Sequence, residues 1–145
     1  MKLKRLVVTI LLAIFALSFA LATACESDEF LYEEYFYVSL SIYAGMALRF
    51  DTLAQEVRNI LPECGYIIPK RDIRIERRTT VLTLLQNELM RDKIQFTARR
   101  GYVEGINYLY ERAIGTQSGW IFFVNGAFSP VGAGSTVVRA NDKIE

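Results

Sequence analysis

Apolar side chains run almost unbroken from Leu6 to Leu21, with only Thr9 and Ser18 between them. From Phe36 to Ile42 the pattern changes to alternation: Val38, Leu40 and Ile42 share one face, and Tyr37, Ser39 and Ser41 the other. A period of two predicts a half-buried strand, which Ala44-Gly45 breaks. Over 46–60, Met46, Leu48, Phe50, Leu53, Val57 and Ile60 recur at mixed helical spacing and predict a short helix, ended by Pro62 and Cys64-Gly65. Residues 66–78 combine a short apolar run, Pro69 and the alternating Ile73 and Ile75. Proline lacks the N–H that a ladder needs, so this pattern predicts an edge strand.

The most regular helical pattern follows. Val81, Leu84, Leu85 and Leu89 sit at helical spacing, flanked by Leu82. Thr79-Thr80 offers a cap at the start, and Arg91 and Lys93 suit the negative end of the helix dipole. The leucine stripe is too short for repeated heptads and reads as core. After it the pattern predicts only strands and turns: a strand over 93–97, a loop opened by Gly101, a strand near 108–112, and a strand at 120–124. Asn125-Gly126 is the strongest short hairpin signal, because both central residues of a type I′ turn need positive φ. Gly132, Gly134 and Ser135 mark a turn, Val137-Val138 a short strand, and Asn141-Asp142 a last turn. Lys143-Ile144-Glu145 reads as the opening of a strand that the sequence cuts short.

Composition changes the meaning of the first segment. Lys2, Lys4 and Arg5 precede the apolar run, and Ala22-Thr23-Ala24 follows it as a small-residue cleavage site. Residues 1–24 therefore read as an export signal, too short in its apolar part for a full span. Removing it takes away three basic residues and leaves a slightly acidic chain, large enough for one modest core. Cys25 then stands at the new N-terminus, where two readings are open. It carries a lipid, as in bacterial lipoproteins, or it is free or bonded to Cys64, as export permits. The first has the edge, although Leu21 lies one place too early for the usual lipoprotein box. A lipid would make the anchor the only membrane contact, with a second chain needed for firm attachment. Residues 25–35 are rich in acidic side chains and read as a solvated tether, leaving 36–145 as the folded domain.

The full sequence of 145 residues carries 17 basic and 16 acidic side chains, a formal charge of +1. That balance argues against nucleic acid as a partner. With no histidine, a Ser-His-Asp or Cys-His triad and an HExxH zinc site are excluded, and two cysteines are too few for a cysteine-only zinc site. The charges between Lys70 and Arg78 are mostly basic, but Asp72 and Glu76 interrupt them. A solvated strand face fits that run better than a patch for phosphate or an acidic polymer. Glu104 and Glu111 are isolated carboxylates, and no nucleophile–base pair, metal set or phosphate loop accompanies them, so the chain reads as non-catalytic.

The stretch from Tyr102-Val103-Glu104-Gly105-Ile106-Asn107-Tyr108-Leu109-Tyr110-Glu111 through Gly115, Ser118-Gly119-Trp120, Val124-Asn125-Gly126, Val131-Gly132 and Asp142-Lys143-Ile144-Glu145 resembles a family. It is similar to the transcobalamin C-terminal-like domains of bacterial exported proteins, relatives of the β domain of intrinsic factor. The resemblance covers roughly 36–145. It departs from the family pattern at Ala44 and Ile114, where cysteines are usual, at Asn141, where glycine is usual, and in ending before an expected tryptophan. The resemblance implies an α+β, β-grasp (ubiquitin-like) fold with a mixed sheet on one main helix. It also implies cobalamin or another corrinoid as a ligand. No histidine is available to bind cobalt, so contacts would go to the corrin periphery or nucleotide tail.

Two function classes follow. The first is an exported, membrane-tethered binding module. Residues 120–124 are apolar on both faces, Trp120, Phe122 and Val124 against Ile121 and Phe123, whereas a single helix covers one face of a sheet. Trp120 and Phe123, joined by Tyr108 and Tyr110, are the candidate ligand-binding residues, since aromatics combine contact area with polar handles. Loops or the N-terminal helix cover the second face equally well. The other class is a cell-surface protein–protein or structural module that pairs through a sheet edge.

Overall fold

A computed structural model describes residues 35–145; the stretch read as an export signal, Cys25 and nearly all of the segment read as a tether lie outside the described residues. The fold is α+β with a mixed sheet. Strand β1 (Tyr35–Tyr43) leads through a 3₁₀ turn (Ala47–Arg49) and helix α1 (Gln55–Ile60) to β2 (Tyr66–Glu76). Helix α2 (Val81–Arg91) is followed by β3 (Phe96–Arg99), β4 (Tyr102–Ile106), β5 (Leu109–Tyr110), β6 (Phe123–Val124), β7 (Ala127–Phe128) and β8 (Lys143–Ile144). One sheet has the order β2-β1-β8-β6-β7 and the other β3-β4-β5.

The alternation in β1 does what it predicts. Val38, Leu40 and Ile42 are buried, while Tyr37 faces solvent. β2 pairs antiparallel with β1 and forms the sheet edge that Pro69 calls for. β8 lies inside the same sheet, parallel to β1 through Leu40 and Ile144 and antiparallel to β6 through Val124 and Ile144.

Helix α2 buries Val81, Leu84, Leu85 and Leu89. Thr80 caps it, its hydroxyl accepting from Thr83 N at 3.2 Å. Val81 N and Leu82 N donate to the carbonyls of Thr136 and Ala133, so a distant loop satisfies two more of the unpaired donors that begin any helix. Lys93 takes a left-handed φ of 57°. Ile94 N then reaches Leu89 O and Lys93 N reaches Met90 O, the paired bonds of a Schellman ending. The helix therefore stops at Arg91, and Lys93 belongs to its exit.

Glu88, on the buried side of α2, was not anticipated. It is held by Arg71, whose position opposite Leu40 places it on the inner face of β2. Arg71 Nη2 lies 2.8 Å and Arg91 Nη2 2.7 Å from Glu88 Oε2, at ion-pairing distance though outside hydrogen-bond geometry. Arg74 stacks 4.3 Å above the Tyr35 ring. The basic run is thus neither a continuous patch nor a simple solvated face. Arg71 also donates to Asp92 at 2.7 Å, and this bond, with Arg91 nearby, holds the Asp92 carboxyl below the usual carboxylate range against a smaller effect of burial. A lowered carboxylate value gives stability that is present above the unfolded value of about 3.9 and lost as pH falls through the folded one. Asp92→Asn should therefore lower stability in denaturant titrations at about pH 7 and make no difference near pH 2. An equal loss at both would show that the charge plays no part.

Asn125 and Gly126 both have positive φ, 55° and 79°, and join β6 to β7 as the two-residue turn the sequence predicts. Asn125 does more than turn: its Nδ2 donates to Asp142 Oδ1, and its Oδ1 accepts from Lys143 N. Asp142 Oδ2 accepts from Arg139 N, so one nearly buried carboxylate ties the hairpin to the entry of β8. A Cβ at Gly126 would meet nothing within 4 Å. Gly126→Val should then cost only the conformational strain, about 1–2 kcal/mol, readable as a drop in denaturation midpoint; an unchanged midpoint would contradict the assignment.

Other expectations are corrected. The helix over 46–60 divides into the 3₁₀ turn and α1. The loop after Gly101 contains β4, and the strand near 108–112 shrinks to β5. The strand at 120–124 shrinks to β6, because beyond one bond from Ser129 N to Phe122 O the ladder with β7 does not continue. Val137 makes only a single bridge to Thr80.

Candidate functional site

The three-stranded sheet carries the least expected backbone. Between β4 and β5, Asn107 and Tyr108 have φ of 50° and 64°, the conformation that a two-residue type I′ turn demands. Asparagine tolerates this region, whereas a bulky residue in it is a genuine outlier. Tyr108 nevertheless occupies it, and the residue is 51% exposed. Four hydrogen bonds hold the turn and its flank. Asn107 N donates to Gln95 O at 2.8 Å, and Tyr108 N to Gln95 Oε1 at 2.9 Å. Gln95 Nε2 donates to Tyr110 Oη at 2.9 Å, and Asn107 Nδ2 to Ile60 O at 3.5 Å. Gln95, just before β3, is therefore the fixture for both tyrosines.

Tyr110 is 44% exposed and lies across Gly105, where a Cβ would meet its ring at 2.6 Å. Glycine at 105 thus gives the ring its seat. Trp120 is half-buried against the core, and its indole Nε1 donates to Leu109 O at 2.9 Å, between the two tyrosines. Tyr102 is also exposed on β4, and local desolvation of its hydroxyl, with Glu111 beside it, raises the phenol above its usual value.

The bond from Asn107 to Ile60 sets this turn against the end of α1. Beside that end opens a cleft of about 590 Å³, lined by Leu48, Gln55, Arg58, Asn59, Leu61 and Glu63. Arg58 is committed to its wall, with Nη1 donating to Leu48 O and Nη2 to Phe50 O at 2.6 and 2.7 Å. Gln55 Nε2 donates to Asn59 Oδ1 one turn along the helix.

Of the four aromatic candidates, the structure connects Tyr108, Tyr110 and Trp120 around β5 and sets Phe123 apart on the other sheet. There Phe123 meets Phe128 edge to face, with centroids 6.1 Å apart. The alternation of 120–124 survives the shortened strand: Trp120, Phe122 and Val124 pack inward and Ile121 is exposed. Trp120 and Phe123, on opposite faces of the segment, are both half-buried. Gln95, Asn107 and the cleft residues carry no local signal and were missed. Cys64 is an exposed, free thiol, and its partner in the disulfide reading, Cys25, lies outside the described residues. Among the described residues no helix is long and apolar enough to cross a membrane, and no group of three acidic or cysteine side chains could hold a metal ion.

A family model described as a domain of unknown function (DUF4430) matches residues 79–145. The match includes α2 and all four aromatic candidates and leaves out β1, β2 and the cleft. No curated protein and no solved structure matches the chain.

Proposed function

We propose that this chain is an exported, non-catalytic binding module whose contact surface is the Tyr108–Tyr110 turn and the adjoining cleft. The observation that carries the reading is Tyr108: an exposed aromatic residue, its backbone N–H tied to Gln95, in a conformation that costs it about 1–2 kcal/mol. Strain of this kind concentrates at ligand-contacting positions, where the surrounding structure maintains it for a purpose other than stability. The finer fold reading is a β-grasp, supported by the parallel β1–β8 pairing and by one long helix among the described residues. Residues 1–24 as an export signal and Cys25 as a lipid-bearing N-terminus place the module at the outer side of a membrane. The transcobalamin-like resemblance makes a corrinoid the first ligand to test. The cleft amides and the Tyr108 ring suit the amide-bearing rim and flat face of a corrin.

Tyr108→Gly tests the reading directly. Glycine relieves the strain and removes the ring, so the variant should be as stable as the parent or about 1 kcal/mol more stable. In micromolar titrations with cobalamin it should bind at least tenfold more weakly. A variant that loses stability would make Tyr108 a structural residue and remove the reading's support.

A second reading rests on the five-stranded sheet. Its outer face presents exposed Tyr37 and Phe128 and half-buried Phe123, and β2 and β7 are its edges. These suit a protein partner at the cell surface, with Phe128→Ser as the variant that would weaken it.

A further inference from the structure

The lining of the cleft beside α1 bears on the class of ligand, independently of any resemblance. Its two charged side chains, Arg58 and Glu63, have opposite signs. The Arg58 guanidinium already donates to two backbone carbonyls. An anionic ligand therefore gains little there, and the exposed Glu63 carboxylate is an acceptor that a hydroxyl also satisfies. The other polar groups of the lining are amides. Gln55 and Asn59 share one hydrogen bond, which leaves Gln55 Oε1 as an acceptor and Asn59 Nδ2 as a donor on the same helix face. A row that both accepts and donates matches hydroxyl groups, which do both. Leu48 and Leu61 give the cleft an apolar floor. The turn whose Asn107 bonds to Ile60 O, between the lining residues Asn59 and Leu61, carries the exposed Tyr108 as its next residue, with Tyr110 two residues further on.

The required ligand is uncharged, has hydroxyls along its edges and presents flat C–H faces that can lie on tyrosine. We propose that the cleft and the Tyr108 turn together bind a neutral carbohydrate chain. The proposal rests on the binding-module reading but not on the corrinoid. For an exported domain this would be a glycan of a cell surface, held by stacking on tyrosine and by paired hydrogen bonds to Gln55 and Asn59. Neither source of affinity uses the chain's net charge, so binding should persist at high salt.

The test uses the full chain, with cellohexaose, chitohexaose and cobalamin as separate probes in calorimetric titrations. Two variants accompany it. Tyr108→Gly removes the ring, and Asn59→Leu removes the amide from an exposed helical position that leucine accepts. The expected result is binding of at least one hexasaccharide, weakened at least tenfold by each variant without loss of thermal stability, and insensitive to added salt. Failure of both hexasaccharides to bind overturns the proposal, as does binding that neither variant alters. If cobalamin alone binds and Tyr108→Gly abolishes it, the carbohydrate is wrong and the binding module stands. If none of the three binds, the small-molecule reading falls with the carbohydrate.

Discussion

Ile144→Ala should cost the domain about 2–5 kcal/mol, the range for deleting a buried aliphatic side chain whose cavity cannot collapse. Ile144 is 2% exposed. It belongs to a strand of two residues, yet that strand is flanked on both sides: Leu40 of β1 is its parallel partner and Val124 of β6 its antiparallel one. Removing its side chain leaves a space in the core beneath a backbone that ladders hold on either side, so relaxation is limited. Lys143→Ala, at the exposed neighbouring position, should stay within about 0.5 kcal/mol. Equilibrium unfolding in urea measures both. Similar small losses for the two would mean that β8 is a peripheral strand and that the order β2-β1-β8-β6-β7 is wrong.

Gly65→Val should be nearly as severe, at about 2–5 kcal/mol, from left-handed strain of about 1–2 and overpacking of about 1–3 kcal/mol. The comparison with Gly126→Val isolates the second part, since both glycines have φ of +79°. At Gly126 a side chain would enter open space. At Gly65 a Cβ would come within 2.6 Å of Gly45 Cα and 2.9 Å of Gly45 N, both backbone atoms. Gly65 is pinned there, because its carbonyl accepts from Ala44 N and its N–H donates to Pro62 O. Backbone cannot swing aside as a side-chain tip can. Denaturation of the two variants side by side should therefore show Gly65→Val as clearly the weaker. Equal losses would mean that the 44–45 and 62–65 segments are not in close contact.

Some of this architecture is written in short stretches of sequence. The alternation of β1, the leucine stripe and threonine cap of α2, the edge position implied by Pro69 and the Asn125-Gly126 turn all depend on residues within a few positions of one another. Their physics is local: side-chain period, a cap reaching the first turn, a missing donor, a backbone that must reach positive φ. These features are legible in the sequence alone.

Only the tertiary structure decided the rest, because the partners are far apart in the chain. Two-residue strands such as β5, β6, β7 and β8 have no period of their own and exist through the ladders they join. Glu88 looks like a solvated helix position until Arg71 arrives from β2 to hold it. Tyr108 gives no hairpin signal, since neither Asn107-Tyr108 nor its flanks carry glycine at the turn; Gln95 imposes the conformation from before β3. The grouping of the aromatic candidates was likewise settled by folding. The Trp120 indole bonds to Leu109 O, and the sheet order sends Phe123 to the other sheet. Periodicity states which face of an element is apolar; which distant group meets that face is a property of the packed chain.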